Sequence, residues 1–230
     1  MVNPTPQDAV EFAENPDPRC ACVLLLDASG SMGGEPINSL AAGLGTLRES
    51  LQKDELARRR VDLAVVKFNS AVEVLQDFGT VDTFQLPTLG AEGQTAMGTA
   101  INQALDMVRA RKSQYSAGGI AYYRPWIFLI TDGEPQGEPD GVFEQACARI
   151  KDEEQKHKIA FFAVGVERPG EAADALMARL SLISSVRPPV RLKGLNFKEM
   201  FVWLSKSMQK VSSSKPDDQL ALPAVNWGTV

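Results

Sequence analysis

The sequence predicts an α/β fold: a doubly wound, mostly parallel sheet with one antiparallel edge strand and helices on both faces. Three observations carry this. Solid apolar runs such as "CACVLLLD" (20–27) and "IAFFAVGV" (159–166) read as strands buried on both sides. Between them, apolar residues recur every three or four positions, which is the helical period. Strands alternating with helices imply a parallel sheet covered on both faces.

Taken in order, the first strand is residues 20–27, ending on Asp27. Ile37, Leu40, Leu44, Leu47 and Leu51 mark the first helix. "VDLAVVKFNS" (61–70) and "AVEVLQDFG" (71–79) read as antiparallel strands, because Asn69-Ser70 suits a tight turn. Residues 79–95, rich in Gly, Pro and Thr, form a loop. Met97, Ile101, Leu105 and Val108 mark the next helix, and "RPWIFLITDGEP" (124–135) holds a second solid strand ending on Asp132. Phe143, Ala146, Cys147 and Ile150 open a helix that becomes highly charged at "KDEEQKHK". After the 159–166 strand, Ala172, Leu176 and Leu180 suggest a helix, "PVRLKG" a short edge strand and "NFKEMFVWLSKSMQKV" a last helix.

No change of composition divides the chain. The expected layout is an extension (1–18), one domain (19–212) and a tail (213–230) packing back on it. The tail reads as too proline-broken for an element, but Leu220, Leu222, Val225 and Trp227 give it apolar surface.

The 230 residues carry a net charge of −5, which argues against a nucleic-acid-binding surface, since phosphate contacts need clustered Lys and Arg. No apolar run approaches the roughly 20 residues that span a bilayer. The polar, acidic, proline-rich N-terminus is no signal peptide. Three cysteines, Cys20, Cys22 and Cys147, are too few for a disulfide framework. A cytoplasmic protein with reduced thiols is expected.

In open α/β sheets, ligands bind at the carboxyl ends of the strands. Asp27 and Asp132 both lie there. The loop after Asp27 adds Ser29 and Ser31, and the loop before the helix at 96 adds Thr95. All five are hard oxygen donors, which suit Mg²⁺ or Mn²⁺ rather than zinc. Alternate residues of an extended loop point the same way, so Ser29 and Ser31 can face one ion. Gly30 and Gly33-Gly34 would let the backbone pass close to it.

Asp27-x-Ser29-x-Ser31 resembles the D-x-S-x-S motif of the von Willebrand factor A (VWA) domain family. With Thr95 and Asp132, the set looks like that family's metal-ion-dependent adhesion site. The strand–helix order fits the family's Rossmann-like fold over roughly residues 20–210. "RPWIFLITDGEP", "GLNFKEMFVWLS" and "LALPAVNWG" look more specifically like the TerY-type VWA proteins of bacterial tellurite-resistance clusters. The resemblance implies that Ser29, Ser31 and Thr95 contact the ion directly or nearly so. It implies that Asp27 and Asp132 hold it, often through waters, and that a partner's Asp or Glu takes the sixth position. It also implies a stress-response setting in which a kinase and a protein phosphatase accompany the VWA protein. Phosphorylation of Thr95 would add about −1.5 to −2 charge where the ion sits.

Simpler readings compete. Any one of these Ser, Thr or Asp residues alone would read as a helix cap; three segments agreeing in order and type favour a metal. The cysteines read as small buried hydrophobes. His157, the only histidine, reads as a solvated helix-end residue and a poor catalytic base. Neither phosphate-loop pattern is present. The expected function is therefore a non-enzymatic, metal-dependent protein-binding module. The alternative is a metal-dependent phosphatase or phosphotransferase using Asp27 or Asp132 as nucleophile or metal ligand.

Overall fold

The computed structural model describes residues 11–167, 173–216, 218 and 220–229. Its elements, in chain order, are β1 (Cys20–Asp27), a 3₁₀ turn (Gly30–Met32), α1 (Glu35–Gln52), α2 (Glu55–Arg60), β2 (Val61–Phe68) and β3 (Val72–Thr80). Then come α3 (Met97–Ala117), β4 (Trp126–Thr131), α4 (Val142–Gln155), β5 (Ala160–Gly165), α5 (Ala173–Leu180), β6 (Val190–Leu192), α6 (Phe197–Ser212) and β7 (Gly228–Thr229). The sheet order is β3-β2-β1-β4-β5-β6-β7. Pairing is parallel from β2 through β6, and antiparallel for β2–β3 and β6–β7.

Every residue of β1 is buried, which explains its unbroken apolar run. Its side chains alternate between two cores. Cys20, Cys22, Leu24 and Leu26 face α1, α6 and the tail. Val23 and Leu25 face α3, α4 and α5. The two faces are thus covered by different helices, as the predicted fold class requires. The layer of α1 on α6 is close enough that a Cβ added at Gly43 would stand 2.5 Å from Phe201. Burial also holds these two thiols in their protonated form. It pushes Cys20 up to about 12, with the Asp62 charge adding to it, and pushes Cys22 well above the ordinary cysteine range.

Three features depart from the expectation. Residues 11–14 are helical, and Phe12 is buried against the Tyr115 ring at 5.8 Å, so the extension packs on the domain from residue 11. The short helix α2 was not expected because "ELARRR" is too brief to show a period. Its signal was Asp54, whose side chain caps the helix by accepting from Ala57 N at 2.8 Å. The tail does form an element: β7 pairs with β6, so "PVRLKG" is not the edge of the sheet. Two residues carry no readable strand pattern; the pairing exists because Trp227 is buried beside it. Ala172 of the predicted fifth helix lies outside the described residues.

At the amino end of β2, the fully buried Asp62 carboxylate is held by Arg111 Nη2 at 2.8 Å and Nε at 3.0 Å, and by the Tyr115 hydroxyl. Glu11 joins the same guanidinium at 3.0 Å. A buried charge matched this way is structural. Among the described residues, no helix is long and apolar enough to cross a membrane.

Candidate functional site

Strand order reverses between β1 and β4: the chain runs outward from β1 through β2 to β3, then starts again on the other side at β4. Such a switch point opens a crevice at the carboxyl ends of the two strands. Asp27 is the last residue of β1, and Asp132 directly follows β4. The topology therefore brings together the two carboxylates that the sequence reading chose.

Asp27 is fully buried. Its Oδ1 accepts from Ser29 N at 2.8 Å, and its Oδ2 accepts a short hydrogen bond from the Thr131 hydroxyl. Ser31 Oγ donates to Asp132 Oδ1 at 2.8 Å and lies 3.0 Å from Ser29 Oγ. Four of the five predicted residues thus form one connected hydroxyl–carboxylate chain. Thr95 borders it: a Cβ added at Gly133 would stand 3.4 Å from Thr95 Oγ1.

Strand-like alternation does not bring the two serines together. Ser29 (φ −65°, ψ 163°) leads into the 3₁₀ turn that carries Ser31, and this tight turn folds one hydroxyl onto the other. The glycine requirement also shifts. A Cβ at Gly30 would meet Gly93 O at an ordinary 3.5 Å, so close passage does not demand glycine there. Gly34, at φ +83°, adopts a left-handed conformation that favours glycine where α1 begins.

The three loops are stitched to each other by backbone. Gly30 N donates to Gly93 O at 3.0 Å, and Glu92 N to Ala28 O at 2.9 Å. Thr95 and Gln136 exchange a pair of hydrogen bonds, Thr95 N to Gln136 O at 3.2 Å and Gln136 N to Thr95 O at 2.9 Å. Glu138 completes the frame. Its carboxylate accepts from Gly98 N at 2.9 Å, Thr99 N at 2.8 Å and Thr99 Oγ1 at 3.0 Å, capping α3 immediately after Thr95. No signal in the sequence links Glu138 to residues about forty positions away. Thr131, the hydroxyl residue just before Asp132, belongs to the site through its bond to Asp27, and its place at the end of the "WIFLIT" run is the signal that could mark it.

Glu138→Ala strands those amides at the start of α3. It is expected to lower stability by about 1–2 kcal/mol, read from the denaturant midpoint.

Thr95 is 5% exposed. His157 is exposed at the end of α4, at φ 54°, at the opposite end of the domain. Among the described residues, no group of three or more His, Cys, Asp or Glu comes together as a metal site. The cluster instead combines two carboxylates with three hydroxyls.

The sequence profile of the von Willebrand factor type A domain matches residues 22–198. Solved structures share the fold. A von Willebrand factor type A protein from Catenulispora acidiphila has 18% identity and a TM-score of 0.60, with 84% of this chain and 43% of that one covered. The pilus adhesin SpaC of Lactobacillus rhamnosus GG, in an open conformation, has 13% identity and a TM-score of 0.64, covering 84% and 30%. Proximal thread matrix protein 1 of the mussel byssus has 13% identity and a TM-score of 0.55, covering 84% and 49%. The chain thus spans less than half the length of each. No curated protein matches it. The profile covers most of the chain, including Asp27, Ser29, Ser31, Thr95 and Asp132: the chain belongs to the von Willebrand factor type A domain family.

Proposed function

We propose that the chain is a metal-dependent protein-binding module. Asp27, Ser29, Ser31, Thr95 and Asp132 would hold one Mg²⁺ or Mn²⁺, and an Asp or Glu of a protein partner would complete its coordination. One observation carries this reading: two segments about a hundred residues apart converge so that Ser31 Oγ, 3.0 Å from Ser29 Oγ, lies 2.8 Å from Asp132 Oδ1, while backbone hydrogen bonds from Gly30 N to Gly93 O and between Thr95 and Gln136 tie the Thr95 loop to both. The donor set fits the ion. Every member is a hard oxygen, and two carboxylates balance a dication while hydroxyls leave it electrophilic. Bound there, the ion would supply a Lewis-acidic contact for a carboxylate. The pilus adhesin among the structural relatives is consistent with an adhesive role.

The surrounding surface is acidic. Glu35 and Glu92 are exposed around the motif loops, whereas Glu134 lies 3.7 Å from Arg179 and Glu138 is taken up in capping α3. A partner that presents basic residues around its carboxylate fits this surface. The likeness of "RPWIFLITDGEP", "GLNFKEMFVWLS" and "LALPAVNWG" to the TerY-type proteins supports a role in a tellurite or stress-resistance system, with a kinase and a protein phosphatase as partners. The enzymatic alternative fares less well on geometry. Asp27 is fully buried with a hydrogen bond on each oxygen, which is a poor setting for a nucleophile.

The test is a pull-down in Mg²⁺ against one in chelator, using wild type and Thr95→Ala. Partner recovery should depend on metal and fall at least tenfold in the variant. Changing the partner's critical carboxylate to an amide should match that loss. A complex that survives both chelator and Thr95→Ala at full affinity overturns the reading. Turnover of a generic phosphate ester with Mg²⁺ would favour the enzyme.

A further inference from the structure

The opposite end of the domain carries a different kind of surface. A cavity of about 610 Å³ lies between the second half of α3 and α4. Its floor is apolar, with Leu105, Val108 and Ile159, and its rim is cationic, with Arg109, Lys112 and Lys158. A second cavity, of about 510 Å³, shares Lys112, Tyr122 and Lys158 with the first. It continues past Trp126 and Phe162 to Arg124 and Arg187. The two form one groove across the amino ends of β4 and β5. By strand rise this is roughly 20 Å from the Asp27–Asp132 cluster.

The charge of this groove runs against that of the chain. The protein carries a net −5, yet Arg109, Lys112, Arg124, Arg149, Lys158 and Arg187 all line the groove. Glu153 and Asp218 are the acidic residues among its lining. Glu153 is shared loosely, 3.8 Å from Arg109 and 3.8 Å from Lys158. Arg149 is engaged by Asp106 and Asn102, and Arg187 by Glu154. The partly buried Lys112 ammonium is hydrogen-bonded to the Lys158 carbonyl at 3.4 Å and sits 5.9 Å from the Tyr122 ring centre. Burial pulls Lys112 below the ordinary lysine range. Glu153 opposes that pull, while Lys158 and Arg109 add to it. An anion seated here would relieve the crowding of Arg109, Lys112 and Lys158 around one carboxylate.

We propose that this groove is a second binding site, for an acidic segment of a protein partner that places an aromatic or aliphatic side chain on its apolar floor. The complementarity is of both kinds: cations spaced along a rim, and aromatic and aliphatic surface beneath them. A nucleotide fits less well. Phosphate cradles are built from glycine-rich turns of backbone amides, and no lining residue of either cavity is glycine. The inference stands independently of the metal reading, because the two sites lie at opposite strand ends.

The test titrates the ¹⁵N-labelled full chain, in chelator, with a short peptide of glutamates flanking one phenylalanine. Its lysine counterpart and adenosine monophosphate serve as the other arms. The glutamate peptide should shift the amides of Lys112, Tyr122 and Lys158, leave those of Ser29 and Ser31 in place, and bind more weakly as salt is added. Lys112→Glu combined with Lys158→Glu should weaken it at least tenfold and admit the lysine peptide instead. Arg109→Gln, a milder change, should weaken it several-fold, and an unchanged spectral dispersion shows that each variant is folded. Three results overturn the proposal: no groove shifts from the glutamate peptide at about 1 mM; undiminished affinity in both variants; or shifts from adenosine monophosphate alone, which would make the groove a nucleotide site.

Discussion

Saturating Mg²⁺ or Mn²⁺ is expected to raise the melting temperature of the wild type by about 5–10 °C and that of Asp27→Ala by almost nothing. A ligand that binds only the folded state at a hundred times its dissociation constant stabilises by about 2.7 kcal/mol. In a chain of 230 residues, each kcal/mol corresponds to roughly 2–4 °C. The metal-free baseline of Asp27→Ala should itself fall. Ser29 N and the Thr131 hydroxyl lose their buried acceptor, and each stranded donor costs about 1–3 kcal/mol. Thr95→Ala separates the two effects, because its hydroxyl can be removed while the backbone pairing with Gln136 stays. It should lose most of the metal shift with little change in baseline. Thermal melts with and without metal decide the matter: a wild-type-sized shift in both variants would sink the assignment of the ion to this cluster.

Trp227→Ala is expected to destabilise the domain by about 3–5 kcal/mol, as deletion of a buried aromatic does. Trp227 is 2% exposed and stacks edge-on against Trp203, with ring centres 5.7 Å apart. Its carbonyl accepts from Lys193 N at 3.1 Å, next to the β6–β7 pairing. The rest of the tail is fastened along α6. Trp203 Nε1 donates to Pro223 O at 2.8 Å, Lys210 Nζ donates to Ala221 O at 2.7 Å, and Leu222 and Val225 pack on the core. Gly228→Ala should act in the same direction, since its Cβ would stand 2.4 Å from Val190 Cγ1 and 2.6 Å from Arg191 O. Removing residues 216–230 should cost at least as much as Trp227→Ala. Denaturant midpoints measure all three. An unchanged midpoint in the truncated chain would leave partner docking as the role of Trp227.

The sequence by itself determined the fold class, the solidly apolar strands and the five hydroxyl and carboxylate residues proposed for the cluster. Strands buried on both faces must be solidly apolar, so β1, β4 and β5 announced themselves. Helices covering a sheet must repeat their apolar residues every three or four positions, so α1, α3 and α6 did too. Asp27 and Asp132 were legible because a carboxylate at the end of a buried run is costly unless something there uses it. What only the tertiary structure decided is everything that depends on contacts distant along the chain. The 3₁₀ turn folds Ser29 onto Ser31, and Glu138 caps a helix that begins some forty residues earlier. Trp227 holds a two-residue strand against β6, and cations from α3, α4 and the loops before β4, β5 and β6 gather into one groove. None of these leaves a periodic trace. Their energies come from hydrogen bonds, packing and charge between segments, and local sequence encodes such terms only through the fold that brings the segments together.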